Sequence, residues 1–168
     1  RYVMSNQDPV RFVGGTGSPY TQKMAALMRY RRIPYAVTWG QPAEVCAALG
    51  VEAPRPTLMP TFFFEEDGDT KATCDSTPII RRLEEAYTGR SVVPEDPALA
   101  FIDYLIEDFA DEWCTKYMFH YRWHPQVDAD NAATLLPLGL DVCLSAEQWS
   151  TLKKYIGERQ ISRLYVVG

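Results

Sequence analysis

RFVGGTGSPYTQKMAALMRYRR, residues 11–32, decides the fold. A short apolar strand around Phe12 and Val13 meets a glycine-rich turn, Gly14, Gly15, Thr16 and Gly17, and then Ser18 and Pro19. Beyond them Met24, Leu27 and Met28 recur on one side of a helix. Glycines permit the sharp turn, Ser18 is a good N-cap, and Pro19 suits the first helical position, where no N–H is needed. A helix start of this kind collects unpaired N–H groups and the positive end of the helix dipole, so it favours an anion beside the Ser18 hydroxyl. The anion expected here is a thiolate brought by a ligand.

Working outward, residues 1–9 are polar and read as a leader to the first strand. After the first helix, Ile33-Pro34 breaks the period, and Tyr35, Val37 and Trp39 alternate as a half-buried strand does. Strand, helix and strand in this order make a βαβ unit with parallel strands. A short helix is expected over residues 44–49, stopped by Gly50.

Pro54 and Pro56 keep the next stretch irregular, up to Met59-Pro60-Thr61 and the apolar run Phe62, Phe63, Phe64. A proline opening a strand fits an edge or a cis bond. A cis bond there turns the Met59 backbone outward, where its N–H and C=O can pair with an extended ligand, as in strand addition. Asp67-Gly68 makes a hairpin turn, and residues 70–74 return as a polar edge strand. Asp75-Ser76-Thr77-Pro78 then precedes Ile79, Ile80, Leu83 and Tyr87 at helical spacing, so Ser76 or Thr77 is expected to cap a second helix. Its amides and hydroxyl suit a carboxylate and the Asp75 carboxylate suits an ammonium, the two charges of an amino acid head group. For an isolated Asp-Ser-Thr-Pro, plain capping is the first reading of the same residues.

In this order the motifs resemble the thioredoxin-like N-terminal domain of glutathione transferases. They are the glycine turn, Ser-Pro-Tyr-Thr-Gln-Lys at a helix start, Met-Pro-Thr before a strand, and Asp-Ser-Thr-Pro-Ile-Ile at the last helix. The resemblance covers about residues 10–89. It implies an α/β thioredoxin-like domain followed by an all-α domain. It also implies that Ser18 activates the thiol, that Met59 and Pro60 form the turn pairing with the cysteinyl backbone of glutathione, and that Asp75 and Ser76 hold its γ-glutamyl end. Serine in place of cysteine cannot form a mixed disulfide, which favours conjugation, reductive cleavage or isomerisation with glutathione as co-substrate. Thr16 and Tyr20 are further hydroxyls able to serve as the donor. A nucleophile elbow fails, because Thr16 and Tyr20 stand where Gly-x-Ser-x-Gly needs glycines, and a dinucleotide fingerprint fails at Tyr20 as well.

Residues 89–97, GRSVVPEDP, read as a linker. The expected units are therefore residues 1–89, binding glutathione, and residues 90–168, a helical domain shortened by several helices against the family. Leu99, Ile102, Leu105, Ile106, Phe109 and Trp113 predict one long helix opened by Asp96 or Pro97, with Asp103, Glu107, Asp111 and Glu112 on its solvated face. Residues 118–123 are strongly aromatic, and their expected role is core packing first. His120 and His124 are four apart, but no Glu follows His120, and no metal is expected. Residues 128–139 read as a mixed, loop-prone segment, and residues 145–156 as a helix capped by Ser145. The end, residues 162–168, is an apolar run without a stop signal.

Composition sets the outer limits. The 168 residues are 46% hydrophobic and 23% charged, enough for a buried core. A net charge of -5 argues against a nucleic-acid partner, and Arg29, Arg31 and Arg32 read as a solvated helix end. No apolar run is long enough for a membrane span, so none is expected, and the residues given read without a signal peptide, although they do not begin with Met. Cys46, Cys74, Cys114 and Cys143 are far apart and read as buried thiols of a cytoplasmic protein. The expected partners are glutathione and a small hydrophobic electrophile, in a homodimer. The alternative is a transferase-like fold that binds without catalysis.

Overall fold

The computed structural model describes residues 8–167, so all but the end of the leader read at residues 1–9 lies outside the described residues. The chain divides into two compact units, Arg1–Val92 and Val93–Gly168.

In the first unit β1 (Val10–Gly14), α1 (Pro19–Arg31) and β2 (Tyr35–Trp39) form the βαβ unit, with β1 and β2 parallel. After α2 (Pro42–Leu49), β3 (Thr61–Glu66) and β4 (Asp69–Thr73) form an antiparallel hairpin, and α3 (Ser76–Ala86) follows. The sheet order is β2-β1-β3-β4, with β3 antiparallel to β1. Asp67 and Gly68, at φ 52° and 88°, make the hairpin turn, and both need the left-handed region that tight hairpins require.

The alternation of strand side chains divides the core between the two sheet faces. Val10, Phe12, Phe62 and Phe64 pack with Met24, Met28, Ile79 and Leu83, so one face is covered by α1 and α3. Val13, Phe63 and Cys46 pack on the other face, under α2. The three consecutive phenylalanines thus serve both layers, and Phe12 stacks on Phe62 with ring centres 4.5 Å apart.

Arg31 corrects the expectation of a solvated helix end. It is 6% exposed. Its Nη1 lies 3.0 Å from Glu84 Oε1, and its Nη2 donates to the Tyr87 carbonyl at 2.7 Å. Glu84 in turn accepts from Ser91 Oγ at 2.7 Å and from the Val92 amide at 3.1 Å. One buried cation therefore ties α1 to α3 and to the start of the linker.

The second unit is helical: α4 (Pro97–Phe109), a π segment (Ala110–Cys114), α5 (Thr115–Trp123), α6 (Gln126–Leu138), α7 (Ala146–Ile161) and the short α8 (Leu164–Val167). Asp96 caps α4 by accepting from the amides of Ala98 and Leu99. The long helix is interrupted by the π segment, and none of the α4 residues is buried. Asp103 and Glu112 are exposed, Glu107 and Asp111 half-buried.

The segment read as loop-prone is α6. Pro125 precedes its first turn, where a missing N–H breaks none of the ladder, and Pro137 falls in its last, where it removes a single bond near the helix end. Ala129 and Ala133, four apart, pack against the buried Trp123, and that packing makes the helix. The aromatic stretch thus supplies the core of this unit, through Trp123 and Phe119. Ser145 caps α7 in a reciprocal box with Gln148, and the helix runs past the expected end at residue 156 to Ile161.

Of the four free cysteines only Cys46 is buried; Cys74 is half-buried, and Cys114 and Cys143 are exposed. The expectation of uniformly buried thiols is thereby corrected. Cys46 alone lies on an apolar face under the sheet. No helix among the described residues is long and apolar enough to cross a membrane.

Candidate functional site

Strand register brings the predicted site residues to one end of the sheet. The last β1–β3 pair is Val13 with Thr61, so one step further lie Gly14 and Pro60. The last β3–β4 pair is Phe62 with Thr73, and two steps further lie Pro60 and Asp75. The turn leading to Ser18, the Met59-Pro60 turn and the start of α3 therefore leave the sheet at the same edge.

Ser18 is the N-cap of α1, as read from the sequence, with Pro19 at the helix start. Its Oγ accepts the Thr21 amide at 3.2 Å, and among the described residues that is its one hydrogen-bond partner. An oxygen used in this way keeps its own proton for an outside acceptor. The turn before it is braced: the Ser18 amide donates to the Gly15 carbonyl at 3.0 Å, and the Gly15 amide donates to Thr21 Oγ1 at 3.4 Å. No acidic side chain lies in the first turn of α1, which leaves the positive end of its dipole unneutralised.

Met59-Pro60 is cis, as expected, and Arg55-Pro56, which the sequence did not single out, is cis as well. Pro60 is buried and Met59 half-buried. Thr61 Oγ1 donates to the Leu58 carbonyl at 2.6 Å, and Cys74 Sγ to the Pro56 carbonyl at 3.2 Å. These two bonds pin the loop from both β3 and the end of β4. Among the described residues no hydrogen bond engages the Met59 backbone.

At α3 the cap is Asp75 and not Ser76 or Thr77, because the Asp75 carboxylate accepts the Thr77 amide at 3.3 Å. Asp75 sits at φ 83°, a conformation that costs a non-glycine residue about 1–3 kcal/mol and that collects at ligand sites. Asp75 is exposed, whereas Ser76 is 5% exposed. Lys23 Nζ, from α1, donates to Ser76 Oγ at 3.0 Å and joins the first helix to this second helix start.

Thr16 is exposed and lends its carbonyl to Gln22 Nε2 at 3.0 Å, while Tyr20 is half-buried with interactions of its own. Of the three hydroxyls only Ser18 stands as the cap of α1. Sequence reasoning missed Thr21 and Lys23. Thr21 acts across the turn on the Gly15 amide, whereas Lys23 acts on Ser76, a partner that only the fold brings near. In the second unit His120 and His124 stack with ring centres 4.7 Å apart, and no group of three or more metal-ligating side chains occurs among the described residues.

A four-stranded sheet of this order, with α1 and α3 on one face and a cis-proline turn at its edge, is a thioredoxin-like domain. Residues 12–91 match the family model of the glutathione S-transferase N-terminal domain. No curated protein matches the chain in sequence. Among solved structures, a maleylacetoacetate isomerase from Anaeromyxobacter dehalogenans, with bound dicarboxyethyl glutathione and citrate in its active site, is similar at 16% identity and a TM-score of 0.44. That match covers 93% of this chain and 84% of the other.

Proposed function

We propose that the chain is a glutathione-dependent enzyme of the transferase type, in which Ser18 holds the glutathione thiol as a thiolate for attack on a small hydrophobic electrophile. The observation that carries this reading is the Ser18 hydroxyl. Its oxygen is occupied by the Thr21 amide, which leaves the O–H to donate, at a helix start with no acidic neighbour in the first turn. A free thiol titrates near pH 8.5, and lowering that by about two units corresponds to roughly 2.7 kcal/mol in favour of the thiolate. A hydroxyl donor together with a helix N-terminus is of the right size for that task. Ser18 acts as the donor to the nucleophile, and the sulfur itself attacks.

In the same reading the Met59 N–H and C=O, beside Pro60, pair with the cysteinyl backbone. Asp75 takes the ammonium and Ser76 the carboxylate of the γ-glutamyl head group. The convergence of the three segments on one sheet edge supports this arrangement, as does the absence of a protein partner for the Met59 backbone among the described residues. Homodimerisation in the cytoplasm belongs to the same reading, and α4, with no buried residue, supports an apolar surface for a second copy.

The test is a glutathione titration of the full chain, following thiolate absorbance in the ultraviolet against pH, alongside Ser18→Ala. A thiolate band near neutral pH that weakens in Ser18→Ala is the expected result. Binding without a thiolate leaves a non-catalytic binding module, and no binding at millimolar glutathione overturns the proposal.

A further inference from the structure

Three hydrogen bonds close into a ring at the start of α1. The Thr21 amide donates to Ser18 Oγ at 3.2 Å, the Ser18 amide donates to the Gly15 carbonyl at 3.0 Å, and the Gly15 amide donates back to Thr21 Oγ1 at 3.4 Å. Thr21, 0% exposed, therefore both opens and closes the ring. Its side chain lies so close to Gly14 that a Cβ there would meet it at 2.6 Å, so it has no room to turn. From the solvent side the exposed Gln22 completes the hold: its amide donates to the Ser18 carbonyl at 3.1 Å, and its Nε2 to the Thr16 carbonyl at 3.0 Å. Capping alone needs the Thr21 amide and no side chain beyond that of Ser18. The two further side chains fix the backbone of the turn from which Ser18 hangs.

We infer that Thr21 and Gln22 are positioning residues for the Ser18 hydroxyl, acting through the glycine turn to fix the direction in which it donates to the thiol. The inference rests on the glutathione reading given above. The Thr21 amide takes one lone pair of Ser18 Oγ, so the hydroxyl proton lies at one of the remaining tetrahedral sites. A shift of Gly15 or Thr16 turns the Ser18 backbone, and those sites turn with it. Hydrogen bonds weaken steeply with misalignment, and a donor fixed before the ligand arrives needs no reorganisation when the thiolate forms. Both residues act on the thiol only through Ser18.

The experiment measures the ionisation of bound glutathione in the full chain, by thiolate absorbance against pH. Isothermal titration with γ-glutamyl-alanyl-glycine, which lacks the sulfur, runs beside it. Thr21→Val keeps the shape of the side chain and removes the acceptor for the Gly15 amide. It is expected to raise the bound thiol by about half a pH unit or more, while the sulfur-free tripeptide binds within about twofold of wild type. Thr21→Ser, which retains the oxygen, returns the thiol to near its wild-type value. Gln22→Ala, at an exposed position away from the core, raises it as well, and thermal unfolding confirms that each variant folds. In Ser18→Ala neither substitution raises the thiol further, because the hydroxyl they position is gone. An equal rise with and without the Ser18 hydroxyl overturns the inference, as does a matching loss of affinity for the sulfur-free tripeptide. A thiol left at its wild-type value by both Thr21→Val and Gln22→Ala overturns it with the glutathione reading intact. Wild type that binds no glutathione overturns both.

Discussion

A Cβ placed on Gly14 would lie 2.6 Å from both Cγ2 and Oγ1 of Thr21, whose side chain is completely buried. The turn that delivers Ser18 is therefore packed to the limit at this point. Thr21 is short and branched, so it has no flexible end to move aside. Gly14→Ala is expected to destabilise the first unit by about 1–3 kcal/mol, the usual cost of overpacking. Thr21→Ala removes the two closest atoms, leaving its Cβ at 3.1 Å, but leaves the Gly15 amide without its acceptor, at about 1–3 kcal/mol. Urea unfolding of the two single variants and the double variant checks the contact. The double variant should lose less than the sum, and simple additivity would show that the strain lies elsewhere.

The Arg31–Glu84 pair supports a larger effect. Arg31 has a side chain 1% exposed, with Glu84 at 15%. Replacing Arg31 with Met leaves the Glu84 carboxylate without its cation and the Tyr87 carbonyl without its donor. Breaking a buried pair from one side costs about 3–5 kcal/mol, and the partial exposure of Glu84 places the expected loss at the lower end. The midpoint of chemical unfolding measures it. A loss below about 0.5 kcal/mol, the size of a surface substitution, would contradict the burial argument.

These two contacts mark what the sequence can and cannot say. The β1–turn–α1 connection was legible because glycine, an N-cap serine and a proline at the helix start act on their immediate neighbours. So was the hairpin at Asp67-Gly68, which rests on residues next to one another, whereas Pro60 by itself left an edge strand or a cis bond open, and the cis bond at Arg55-Pro56 was not marked at all. Arg31 was read as solvated because its partners, Glu84 and Tyr87, reach it only after α3 has packed on the sheet. The α6 helix was missed for a related reason: its polar and proline content suggests a loop, and only the packing of Ala129 and Ala133 on Trp123 decides otherwise. In the site, the capping hydroxyl was visible and the Lys23 contact to Ser76 was not.

On β3, Glu66 offers a pH-dependent signal. Hydrogen bonds from Arg82 and then from Lys71 hold its carboxyl below the ordinary 4.5 of a glutamate. Because the folded value is the lower one, the stabilisation is present above the unfolded value and is lost as pH falls through the folded one. The Glu66 side chain is 34% exposed, so solvent screening limits the contribution to less than about 1 kcal/mol. Carboxyl titration by NMR should find Glu66 titrating below an ordinary glutamate, and Arg82→Met should move it back upward. Arg82 also lies over the Phe64 ring, 3.9 Å from its centre, so the variant loses packing in addition to charge. Lys71→Met, at a more exposed partner, separates the two by shifting the carboxyl with little effect on stability.

The four cysteines should separate by access when the folded chain meets a disulfide reagent. The attacking species is the thiolate, so both exposure and ionisation govern the rate. Cys114 and Cys143 are exposed and are expected to react first. Cys74 is half-buried, with its Sγ against the Pro56 carbonyl, and should follow more slowly. Cys46 is 1% exposed among Val13 and Phe63, and burial pushes its thiol above the ordinary thiol range. Neither access nor ionisation favours it, so its modification should wait for unfolding and appear at the unfolding rate. Mass spectrometry of the time course assigns each site. Modification of Cys46 at the pace of Cys114, in chain that remains folded, would show that α2 opens from the sheet far more readily than its packing implies.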